Sequence, residues 1–181
     1  ETLSVQGKKS ITIPLGQMDV KKNIKSLKVI LRTCTSELIM DQNKKRIFDK
    51  EKNEYTFRTL KSLIKSINAA SNQFKNIKFK LIITDSNSPK EDRDKIQKIL
   101  NHSNIQNKFM SINPDDFQDK IKPGYSKAKF SNMANFYTSL MIAKNEDADI
   151  IYFVEDDYIH SVNTITEMIF AYEKFYTIFS K

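Results

Sequence analysis

Four short apolar runs, each cut off abruptly by polar residues and separated by amphipathic stretches, constrain this chain most. They are "SLKVILRTC" (26–34), "IKFKLIITDSNSP" (77–89), "NKFMSIN" (107–113) and "ADIIYFVEDD" (148–157). The first, second and fourth are rich in β-branched residues and nearly continuous in apolar character, as strands buried on both faces are. Between them, Phe57, Leu60, Leu63, Ile64, Ile67 and Phe74 recur at intervals of three and four, which predicts a helix with its lysines outward. Pro89 marks the start of a second helix whose inner residues are Ile96, Ile99 and Leu100. A third helix is expected over 131–144, with Met133, Phe136, Tyr137, Leu140 and Met141 inward. From Ser161 onward a fourth helix turns Val162, Ile165, Met168, Ile169, Tyr172, Phe175 and Phe179 inward. Thr164 and Glu167 have capping-box spacing for its first turn.

Strands alternating with helices predict an α/β layer with a mainly parallel sheet flanked by helices. At 181 residues the chain holds one domain. Residues 1–26, containing "SITIPLG", form an N-terminal extension or an edge strand, and residues 27–181 form the α/β domain. The stretch 36–53 is polar and reads as a long loop with at most one helical turn.

Composition narrows the function classes. No apolar run approaches the roughly 18–20 residues a membrane-crossing helix needs. One cysteine, Cys34, excludes an internal disulfide framework and suits a reducing compartment, so a cytoplasmic location is expected. Two histidines do not furnish a Cys/His zinc site. The formal charge of +8 favours polyanionic company: nucleotide phosphates, nucleic acid or an acidic membrane surface.

In an open parallel sheet, ligands bind beyond the carboxyl ends of the strands. The polar clusters "RTCTSE" (32–37), "TDSNS" (84–88) and "EDDYIH" (155–160) all follow strands, and a parallel sheet puts them on one rim. Three adjacent acids, Glu155, Asp156 and Asp157, repel one another unless a cation intervenes. A hard divalent ion such as Mg²⁺ or Mn²⁺ takes one or two carboxylates and fills its shell with diphosphate oxygens and water. Lys127 and Lys129 are candidates to attract the polyanion. Acid-x-acid spacing also occurs in "KEDRD" and "NEDAD", where acids suit helix starts and turns. Only "VEDD" follows an apolar strand. His160 reads as a turn histidine rather than a metal ligand, and Cys34 as a small packed side chain rather than a nucleophile.

"LKVILRTCT", "FKLIITDSNS" and "DIIYFVEDDY" together resemble the nucleotide-sugar half of a GT-A-type glycosyltransferase, a Rossmann-like fold, and within it the large inverting family of sugar transferases. The resemblance spans residues 27–175. It implies a metal-dependent transferase that binds a nucleoside-diphosphate sugar and passes the sugar to an acceptor hydroxyl on a glycan, lipid or protein. The acid motif (DXD in the family) implies Asp157 as ligand to Mn²⁺ or Mg²⁺, with Glu155 or Asp156 facing the ribose or the donor sugar. Arg32 and Thr33 would line the nucleotide pocket, Asp85 would accept from a base N–H, and Lys129 would attend the phosphates. Asn132 lies near a position where the family carries a basic residue or Asn. The second acid of the family's strand-two motif is replaced here by Ser86. The resemblance further implies an acceptor half and a general base beyond Lys181. The positive charge suits peripheral contact with a membrane surface, whereas the dispersed lysines and the lack of an aromatic-basic RNA motif lead us to expect no specific nucleic acid. Two other readings stay open on the residues alone: nucleotidyl transfer, against which the glycine-free "RTCTSE" loop counts, and a basic non-catalytic module binding nucleic acid or an acidic surface.

Overall fold

The computed structural model describes residues 10–13, 16–36 and 50–180. The first two elements, β1 (Ser10–Ile13) and β2 (Gly16–Asp19), pair with each other as an antiparallel hairpin. Among the described residues this hairpin is a sheet of its own and adds no edge strand to the main one. After it the chain crosses α4 (Thr164–Phe179), where the Ile24 N–H donates to Glu173 Oε1 at 3.0 Å and the Lys21 N–H to Thr177 Oγ1 at 3.2 Å.

The main sheet has four strands: β3 (Ser26–Thr33), β4 (Lys78–Ser86), β5 (Gln106–Ile112) and β6 (Ile150–Val154). These are the four apolar runs, and every pairing among them is parallel. Their spatial order is β5-β4-β3-β6. The chain therefore winds outward from β3 in one direction, then returns to place β6 on the other side of it. That reversal creates a topological switch point between β3 and β6. Leu27, Val29, Ile30 and Leu31 of β3 are fully buried, as expected of a strand covered on both faces. Each such side chain contributes about 1.5–3 kcal/mol relative to exposure.

One face is covered by α1 (Lys52–Gln73), with α2 (Lys90–Asn101) and α4 beside it. The expected stripe of α1 is present: Phe57, Leu60, Leu63 and Ile67 are buried, and Ile64 packs against them. Pro89 stands at the N-cap of α2, and Ile96 and Leu100 face inward. A 3₁₀ turn, Pro114–Phe117, follows β5. The stretch expected as a loop over 36–53 lies mostly outside the described residues, and α1 takes up its end at Lys52.

Two helices differ from their sequence expectations. Helix α3 (Lys127–Asn145) covers the other face of the sheet and starts earlier than expected, where the Ser126 hydroxyl caps the Lys129 N–H at 3.3 Å. It buries Ser131, Ala134, Asn135 and Ser139, while Phe136, Leu140 and Met141 are exposed. The polar stripe wins because it meets backbone and hydroxyl groups at the strand ends that would otherwise be buried without partners. Helix α4 begins at Thr164 with Asn163 at the N-cap, so the Thr164–Glu167 capping box does not form. Its buried face is Ile165, Thr166, Ile169, Glu173 and Thr177, which leaves Val162, Phe175 and Phe179 exposed. Among the described residues, no helix is long and apolar enough to cross a membrane.

Candidate functional site at the carboxyl ends of the strands

The three polar clusters meet on one rim, as parallel pairing requires. Thr33 is paired with Asp85 in the β3–β4 register, and Leu31 with Val154 in the β3–β6 register, so Arg32 and Glu155 come side by side.

Three consecutive residues at the end of β3 are each held by a different acid. The Thr33 hydroxyl donates to Asp85 Oδ1 at 2.7 Å, the Cys34 N–H donates to Asp156 Oδ2 at 3.1 Å, and the Thr35 hydroxyl donates to Asp92 Oδ2 at 2.6 Å. The Thr35 N–H also donates to the Ser88 hydroxyl at 2.9 Å, and that hydroxyl donates to Asp85 Oδ1. The segment leaving β3 is thus fixed by local hydrogen bonds.

Asp85 is fully buried, and among the described residues its Oδ2 has no hydrogen-bond partner. Burial pushes its carboxyl above the ordinary aspartate range, against the opposing hydrogen bonds from Ser88 and Thr33. Asp156 is also buried, with the Thr56 hydroxyl at 3.0 Å from Oδ2 and the Lys52 ammonium at 3.4 Å from Oδ1. Burial raises its pKa as well, opposed chiefly by Lys52.

The outer acids behave otherwise. Glu155 is half exposed and pairs with the Arg32 guanidinium, which also donates to Asn132 Oδ1 at 3.4 Å and lies 5.0 Å above the Phe136 ring. Asp157 is exposed, and among the described residues its carboxylate has no hydrogen bond or ion pair. Burial alternates along 155–157, where the chain leaves β6 and enters a turn at Asp156 and Asp157.

On the α3 side, the Asn135 amide donates to the Thr33 carbonyl at 3.2 Å and the Thr84 carbonyl at 3.0 Å, clamping the ends of β3 and β4. Ser139 shares a 3.1 Å hydrogen bond with Thr84, and the Ser131 hydroxyl donates to Ser86 Oγ at 3.0 Å. Asn87, at φ 64°, turns the chain after β4 and donates to the Ser131 hydroxyl at 3.0 Å. Asn accepts this left-handed conformation more readily than most residues.

The structure therefore sorts the residues singled out from sequence. Arg32, Asn132 and Glu155 form one cluster at the switch point, with Asp157 exposed beyond it. Thr33, Asp85, Ser86 and Asp156 are buried at the same strand ends, each with hydrogen bonds to protein groups. Lys129 lies in the first turn of α3 with its ammonium 4.3 Å from the Tyr125 ring. His160 is buried, shares a 3.1 Å hydrogen bond with the Tyr152 hydroxyl and is held below the ordinary histidine range by desolvation. Sequence reasoning missed Asn135, Lys52, Thr56 and Asp92. Asn135 had a signal: Ser131, Asn135 and Ser139 recur every four residues on an otherwise apolar helix.

Among the described residues no group of three or more His, Cys, Asp or Glu side chains is arranged to hold a metal ion. What the rim offers a cation is the exposed Asp157 carboxylate. One such group fits an ion that takes its remaining ligands from substrate phosphates and water, as Mg²⁺ commonly does.

No family model and no curated protein sequence matches the chain. Solved structures similar to it include S. aureus TarS 1–349, at 15% identity and TM-score 0.47, covering 82% of this chain and 32% of that one. A second structure of S. aureus TarS has 18% identity and TM-score 0.45, with 82% and 20% covered. The galactosyltransferase LgtC in complex with donor and acceptor sugar analogues has 11% identity and TM-score 0.37, with 76% and 41% covered. The chain thus spans about a third of the length of the first of these structures.

Proposed function

We propose that this chain is the donor-binding part of a GT-A-type, metal-dependent glycosyltransferase. The observation that carries the reading is the convergence of Arg32, Glu155 and Asp157 at the point where the order of a parallel sheet reverses between β3 and β6. Such a crevice is where open α/β sheets take nucleotides.

In this reading the donor is a nucleoside-diphosphate sugar. Asp157 would hold a divalent ion, Mn²⁺ or Mg²⁺, whose charge stabilises the departing diphosphate. The Arg32 guanidinium, stacked on Phe136, exchanges its Glu155 partner for a phosphate oxygen or keeps Glu155 aimed at the ribose. An acceptor hydroxyl attacks the anomeric carbon as the carbon–oxygen bond to the diphosphate breaks. The nucleoside diphosphate leaves with that electron pair, and the hydroxyl proton passes to a base. Lys129, on the first turn of α3, adds positive potential for the incoming phosphates. The buried groups Asp85, Asp156 and Asn135 keep the rim preorganised.

The test is a calorimetric titration of UDP and of GDP into the chain, with and without Mn²⁺, repeated on Asp157→Ala. Tighter binding with the ion, lost in the variant, supports the reading. For each nucleotide, equal affinity with and without the ion in both proteins removes the metal from it. Salt-sensitive binding of random-sequence RNA without nucleotide binding would favour the basic-module alternative instead.

A further inference from the structure

At the opposite, amino end of the sheet lies a cleft of about 320 Å³, within the size range of small-ligand pockets. Its polar wall is made of amides and one hydroxyl: Asn68, Ser71 and Asn72 from the last turns of α1, Asn104 from the turn after α2, and Gln106 at the start of β5. Its floor is the buried edge of the core, chiefly Ile67 and Phe79. No charged side chain lines it, although 29% of the chain is charged. Two other clefts on the molecule show the contrast: one is lined by Lys108 and Glu146, the other by Lys90, Arg93 and Asp94.

Among the described residues, the side-chain amides of Asn68, Asn72, Asn104 and Gln106 make no intramolecular hydrogen bond. The turn that presents Asn104 is itself fixed: the Asn107 amide donates to the carbonyls of Ile105 at 2.9 Å and Leu100 at 3.3 Å, and the Ser103 hydroxyl donates to Leu100 at 2.7 Å. The cleft is therefore a set of uncommitted amides held on a rigid frame above an apolar floor.

We propose that this cleft binds a neutral carbohydrate. Each primary amide both donates and accepts, which matches the paired donor and acceptor character of adjacent sugar hydroxyls. The floor receives the C–H face of a ring. A phosphorylated or carboxylated ligand would be desolvated there without a counter-charge in the lining. An extended peptide is recognised along a strand edge, whereas this lining comes mainly from a helix and a turn. The site is separate from the carboxyl-end crevice and does not depend on the function proposed for it.

Maltotriose and chitobiose, titrated separately into the ¹⁵N-labelled chain, are the probes, with glucose 6-phosphate and trialanine as controls. The side-chain amide resonances of Asn68, Asn72, Asn104 and Gln106 are expected to shift saturably with at least one neutral sugar at millimolar concentration. The double variant Asn72→Ala/Asn104→Ala, whose unchanged dispersion reports intact folding, should weaken that binding at least ~5-fold. Absence of shifts with both sugars overturns the proposal. So do equal shifts with glucose 6-phosphate or trialanine, or undiminished binding in the folded double variant. UDP added to the same sample reports on residues around Arg32 and Glu155, so a failed donor site and a failed sugar cleft give different spectra.

Discussion

Asp156 accepts the backbone N–H of Cys34 at 3.1 Å across 122 positions of sequence, binding the end of β6 to the end of β3. The middle acid of the tripeptide is therefore a buried clamp, and its neighbours on either side face solvent. Its partners Thr56 and Lys52 extend the clamp into the first turns of α1.

Asp156→Ala strands Lys52 and removes the carboxylate to which the Cys34 N–H donates, in a site where both charges are largely buried. Breaking a buried pair from one side costs about 3–5 kcal/mol. Urea unfolding should show a loss of that size, whereas Asp157→Ala, at an exposed position, should stay within about 0.5 kcal/mol of the parent. Equal losses in the two variants would contradict the division of roles between these acids.

The Arg32 guanidinium stands at the switch point, paired with Glu155 and lying over the Phe136 ring. Arg32→Ala should weaken UDP binding about tenfold, equivalent to ~1.4 kcal/mol, with a smaller effect on stability because its partner Glu155 is half exposed. Arg32→Lys should recover only part of the affinity, since an ammonium lacks the planar fork and stacks poorly on Phe136. Titration calorimetry on the three proteins decides it, and full recovery with lysine would reduce Arg32 to a point charge.

Asn135 is the amide that joins β3 to β4 at their carboxyl ends. Asn135→Ala leaves the carbonyls of Thr33 and Thr84 short of a donor, at about 1–3 kcal/mol. Asn135→Asp should be worse at neutral pH, because a buried carboxylate replaces the donor with a second acceptor. Denaturant midpoints in that order, parent above Ala above Asp, are the expected result.

Two buried groups give opposite pH signatures. The folded pKa of Asp85 is raised by burial, so its contribution to stability is complete at acid pH and is lost as pH rises through the folded value. Asp85→Asn, whose oxygen can still accept from Thr33 and Ser88, should abolish that decline and match or exceed the parent at pH ~7. The folded pKa of His160 is lowered by burial, so its contribution is complete above its unfolded value of about 6.5 and is lost as pH falls below it. His160→Gln should flatten the slope just below that pH. Stability measured across the range in both variants separates the two effects, and a variant that keeps the parent slope would clear its residue of the role.

Much of the architecture was legible without coordinates. β-Branched apolar runs separated by helices of clear periodicity define β3 to β6, α1 and α2, and strand-then-helix order implies parallel pairing. The site was legible only as a rim. Arg32, Glu155 and Asp157 lie where a parallel sheet must put them, but the burial of Thr33, Asp85, Ser86 and Asp156 at the same strand ends was not legible. The face of α3 was misread for a related reason: apolar periodicity marked Phe136, Leu140 and Met141, while unsatisfied carbonyls at the strand ends drew in Ser131, Asn135 and Ser139.

What the sequence determined by itself was local: which segments extend, which coil, and that acids crowd the end of the last strand. Which acid is buried, which pairs with arginine and which stays open to solvent was decided by tertiary structure. The reason is that these acids lie where the chain leaves β6 and turns, and only the placement of α1, whose Thr56 and Lys52 meet Asp156, makes one of their positions an interior.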